Sequence, residues 1–70
     1  MLILVRLIDV QCPGAGGFVL IVGDWQACMA GIPHDCDSAR REGYRIMRGY
    51  PGVAVGMHAD FGQLAEMRNA

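Results

Sequence analysis

Seventy residues make one domain, with 53% hydrophobic and 19% charged side chains. That is too apolar for a disordered chain, and a net charge of −1 gives neither a field to draw the protein onto nucleic acid or an anionic membrane nor the acidic excess of a DNA mimic. No apolar stretch approaches the ~20 residues that span a bilayer. The N-terminal run is broken by Arg6 and Asp9 and lacks the basic leader and small-residue cleavage site of a signal peptide.

These features predict a cytoplasmic protein without membrane attachment. The three cysteines, Cys12, Cys28 and Cys36, agree, since an odd count argues against a disulfide framework. A domain of this size buries only about 60% of its unfolded surface, so its stability is marginal without a staple or a second copy.

Residues 2–10 read as a first strand. Leu2, Leu4, Ile8 and Val10 share one face with Arg6; Ile3, Val5 and Leu7 share the other with Asp9. Pro13-Gly14 and Gly16-Gly17 supply the turn chemistry of a hairpin. Residues 18–23 form its second strand, with Phe18, Leu20 and Val22 on one face and Val19 and Ile21 on the other. Strands that are apolar on both faces need cover on both. Residues 26–34, with Gly31 and Pro33, read as a connection holding a helical turn at 27–30.

A main helix is predicted from the Asp35, Asp37 and Ser38 caps to Tyr50, ended by Pro51. Its apolar stripe is Ala39, Gly43, Ile46, Met47 and Tyr50, at helical spacing. Residues 53–58 read as a third strand. Asp60, with Gln63 in capping-box position, opens a short C-terminal helix whose stripe is Phe61, Leu64 and Ala65.

The expected fold is therefore α+β: a two-layer β-β-α-β-α domain with a three-stranded sheet, an antiparallel hairpin plus one strand. One main helix covers one face of that sheet. The hairpin's other face then needs a second copy, and a homodimer through Leu4, Arg6, Ile8, Val19 and Ile21 is expected.

The residues that carry chemistry are few. Cys28, His34 and Cys36 fall close together and, with His58, form the only metal-ligand set to weigh. No C-x2-C pair supports a tetrahedral zinc site, so no metal is expected. Cys12 with His34 or His58 has the residue types of a thiol nucleophile and its base, without the spacing. The loop Pro13-Gly14-Ala15-Gly16-Gly17 leads into a strand, and the chain has no lysine; it reads as a turn rather than a phosphate cradle. No cofactor is expected.

Arg40, Arg41, Arg45 and Arg48 surround Tyr44 on the predicted helix. Arginine and tyrosine are the types that anchor interfaces, which makes Arg41, Tyr44, Arg45 and Arg48 the expected partner-binding set. In size, lack of catalytic spacing and surplus apolar surface, the chain resembles the compact inhibitors and adaptors encoded by phages and mobile elements, anti-CRISPR proteins among them. That resemblance implies a non-catalytic module that blocks a surface of a larger protein. The alternatives are a small dimeric enzyme or metal/thiol protein using the Cys/His set, and a weak nucleic-acid binder using the arginine helix.

Overall fold

In the computed structural model, which describes residues 1–33 and 35–60, the first apolar run becomes the inner strand β1 (Leu2–Leu7). It pairs antiparallel on one side with β2 (Gly17–Gly23) and on the other with β3 (Tyr44–Arg48). A two-residue strand, β4 (His58–Ala59), adds to the outer edge of β2, giving the order β3-β1-β2-β4. Two short helices, α1 (Trp25–Ala30) and α2 (Cys36–Arg41), follow β2. The α+β class stands; among the described residues the sheet has four strands where three were expected.

Alternation along β1 divides the interior in two. Ile3 and Val5 point to one face, where they pack with Val19, Met47, Tyr50 and Ala59, and the partly buried Val22 and Val53 close against them. The segment after β3 thus covers this face. Among the described residues the Tyr50 hydroxyl buried there has no hydrogen-bond partner. Leu4 points to the opposite face beside its cross-strand neighbours Ile21 and Ile46. The end of α1 covers it: a side chain at Gly31 would run into Leu4 and Ile21.

Both faces of the middle of β1 are therefore sealed within one chain, contrary to the expectation that a single copy leaves one face bare. Leu4 and Val19, expected at a dimer interface, are 0% and 1% exposed, and Ile21 is half-buried. Arg6 and Ile8 of that set remain on the surface.

The predicted helix over 35–50 is the main correction. Asp35 caps α2, its carboxylate accepting from the Ser38 amide at 2.9 Å, and the helix stops after Arg41. Gly43, at φ 102°, then turns the chain through a left-handed conformation that ends a helix. Residues 44–48 continue as a strand because β1, apolar on both faces, has a second edge whose amides and carbonyls need partners. Met47 and Tyr50 are buried as the stripe required, though from a strand and the loop after it.

The predicted strand over 53–58 shrinks to β4. Gly52 and Gly56 adopt φ 85° and 89°, and two bonds, Val19 N–H to the Met57 carbonyl and Gly56 N–H to the Val19 carbonyl, tie this loop to β2. The expected helical turn at 27–30 is the back of α1, which starts at Trp25 because the Asp24 carboxylate accepts from the Ala27 amide at 2.8 Å. The helix expected after Asp60 lies outside the described residues.

Candidate functional site

Sheet register sets four side chains in a row across all four strands. Arg6 of β1 stands opposite Tyr44 of β3 and Phe18 of β2, and Phe18 stands opposite His58 of β4. Directly paired residues point to the same face, the face that carries Leu4. Leu4 lies under α1, whereas Arg6, two residues farther along, is exposed. The β-bulge where the pairing slips between Leu4 and Val5 leaves Leu20 without a partner. That slip brings Phe18 opposite Arg6.

The row is internally ordered. The Arg6 guanidinium carbon lies 5.1 Å from the centroid of the Tyr44 ring, a cation–π contact worth about 0.5–1 kcal/mol at an exposed site. The Phe18 and His58 rings meet edge to face, 5.6 Å apart and inclined at 69°. His58 Nε2 lies 3.0 Å from the Ala15 carbonyl oxygen; a carbonyl only accepts, so the imidazole donates. Phe18 nevertheless stays 48% exposed, and covering the rest of its ring is worth ~2 kcal/mol.

Tyr44 also opens onto a cleft of about 750 Å3 between β3 and the two helices. Leu2, Ile46, Met29 and Ile32 give it apolar lining, and Trp25, 58% exposed, lines it too. Arg40 and Arg48 line it as well, with Asp37 the only carboxylate among its lining residues. A shallower depression over α2 is lined by Asp35, Ser38, Arg41 and Glu42. Its polar groups bond to one another: Ser38 Oγ donates to Asp35 and Arg41 donates to Ser38 Oγ. The Ser38 bonds hold the Asp35 carboxyl below its ordinary range. This depression reads as a capped helix end.

The expected partner-binding set is divided. Tyr44, Arg45 and Arg48 all line the cleft, Tyr44 and Arg48 from one face of β3. Arg41 sits on α2 over the shallow depression. Arg45 serves the fold: one guanidinium nitrogen donates to the Arg40 carbonyl at 2.7 Å and to the Tyr44 carbonyl at 2.8 Å. Burial, then the neighbouring Arg40 charge, lowers its pKa. Leu7 N–H bonds to the Gly43 carbonyl and Gly49 N–H to the Met1 carbonyl, so odd-numbered residues of β3 face β1 and the Tyr44 carbonyl faces outward. Arg45 therefore blunts the open edge of β3, one of the ways proteins discourage edge-to-edge pairing.

The Cys/His set is not gathered. Cys28 is buried in α1, where burial and then Asp24 raise its thiol pKa. Cys36 is exposed at the start of α2, His58 lies on the far edge strand, and His34 lies outside the described residues. Among the described residues no three His, Cys, Asp or Glu side chains form a metal-ligating group. Cys12 is exposed before the Pro13–Ala15 turn. Among the described residues no thiol is hydrogen-bonded to an imidazole, as a thiol nucleophile requires. No helix of the described residues is long and apolar enough to cross a membrane.

The sequence pattern puts Arg6 in the expected dimer interface and His58 in the Cys/His set, and offers no sign that Phe18 joins them in one row. Arg6 was the usable signal: in an inner strand, the polar position marks where cover ends. Comparison of the chain with known proteins found no matching family model, curated protein or solved structure.

Proposed function

We propose that this chain is a non-catalytic binding module that occupies a surface of a larger protein, in the manner of a stoichiometric inhibitor or adaptor. The observation that carries this reading is the row Tyr44–Arg6–Phe18–His58, exposed except for the half-buried Tyr44, beside the cleft. Tyr, Arg and Trp are the residues that dominate interface energetics when a partner covers them. In the row, Arg6 packs on Tyr44 and Phe18 on His58, each fixed by its strand, which lowers the ordering cost of binding.

A second copy is no longer needed to complete the core, because α1 and the segment after β3 close both faces of β1. With the edge of β3 blunted by Arg45, this reading assigns the row and the cleft to a different protein. Phe18→Ala and Arg48→Glu change exposed side chains, so both variants should melt with the wild type. The test is affinity capture from a native lysate with wild type and both variants as bait. A protein enriched on the wild type and lost from both variants supports the reading. Equal capture by all three, or capture of nothing, would overturn it.

A further inference from the structure

Resting on that binding reading, we propose the chemistry of the partner: the cleft between β3 and the helices takes an acidic protein segment that inserts one aromatic side chain. Three features point to it. The volume, about 750 Å3, is in the range that encloses a ligand of several side chains. The lining from Leu2, Ile46, Met29 and Ile32 suits a ring, and methionine adapts its shape to one. Around this pocket the charge is positive although the chain as a whole is not.

Arg40 and Arg48 border the cleft, and Arg6 lies one strand over from Tyr44. Arg45 lines the cleft too, so among its lining residues three arginines stand against the single carboxylate of Asp37. The other described acidic residues, Asp9, Asp24, Asp35, Glu42 and Asp60, are not among the residues lining the cleft. Guanidinium groups grip carboxylates in two-pronged fashion, so the rim selects Asp and Glu. Tyr44, Ile46 and Arg48 point to the same face at two-residue spacing, about 7 Å apart along the strand. An extended segment lying in the cleft, across the face of β3 rather than along its Arg45-blunted edge, presents its own alternate side chains at that interval. A single-stranded nucleic acid fits less well: it brings a phosphate with every nucleotide, and a chain of net charge −1 offers little to balance a long polyanion.

Trp25 is the sole tryptophan and lines the cleft, so its fluorescence reports occupancy. The full chain is titrated with a short capped peptide of glutamate and aspartate around one phenylalanine. Parallel titrations use the peptide with lysines for the acids, the peptide with alanine for phenylalanine, and oligouridylate. The acidic phenylalanine peptide is expected to shift Trp25 emission. Both peptide changes, and Arg40→Glu with Arg48→Glu in the protein, should weaken it by about tenfold or more without lowering the melting temperature. No emission shift, indifference to peptide charge, or tighter binding of oligouridylate would overturn the proposal, the last by assigning the cleft to nucleic acid. If lysate capture still depends on Phe18 and Arg48 while the peptide fails, only the partner's chemistry is wrong. If both fail, the binding reading falls as well.

Discussion

Leu4→Ala is expected to cost about 2–5 kcal/mol, the range for truncating a fully buried leucine. Leu4 is 0% exposed and sits between the sheet and the end of α1. Its neighbours cannot collapse freely into the space. Ile46 and Ile21 are fixed by the strands on either side, and Gly31 approaches so closely because it has no side chain. For a domain of this size, each kcal/mol moves the melting temperature by about 4–8 °C, so the loss should exceed 10 °C or so by circular dichroism. A drop within a few degrees would mean that α1 does not cover this face. Phe18→Ala, which trims a side chain left 48% exposed, is the surface control.

Gly16→Ala is expected to be of similar size for a different reason. Gly16 has φ 80° and ψ −160°, a region essentially confined to glycine. An added Cβ would also strike the Ala59 carbonyl, which is backbone and cannot swing away. Strain and overpacking each cost about 1–3 kcal/mol. Relief comes only if β4 moves off β2, which would carry His58 away from Phe18 and end the row. Gly14→Ala, where a Cβ meets nothing within 4 Å, should be close to neutral. Melting curves of both variants, with amide exchange at Val19 as the reporter of β4 docking, check this. A Gly16→Ala protein as stable as Gly14→Ala would contradict it.

Much of the hairpin was legible in the chain. A nine-residue apolar run, a Pro-Gly turn and a second apolar run leave few other choices. What failed was the period of residues 39–50. Ala39, Ile46, Met47 and Tyr50 satisfy helical spacing, yet Met47 also fits a strand, and nothing local weighs the two. The decision came from β1, whose free edge is supplied with a partner from across the sequence, a long-range term that no short window contains. The row was less legible still. Tyr44, Arg6, Phe18 and His58 become neighbours only after three pairing registers and one bulge are set. A one-residue slip in any of them would send a side chain to the other face. Arg45 illustrates the limit from the other side: its residue type predicted a partner contact, and the strand edge uses it instead for the Tyr44 and Arg40 carbonyls.

Whether one chain closes its own core and keeps the row free for a different protein is read from its molar mass in solution. Sedimentation of the purified protein from micromolar to millimolar concentration is expected to give 7.6 kDa throughout. A rise towards twice that mass that disappears in Phe18→Asp would place a second copy on the row and contradict this picture.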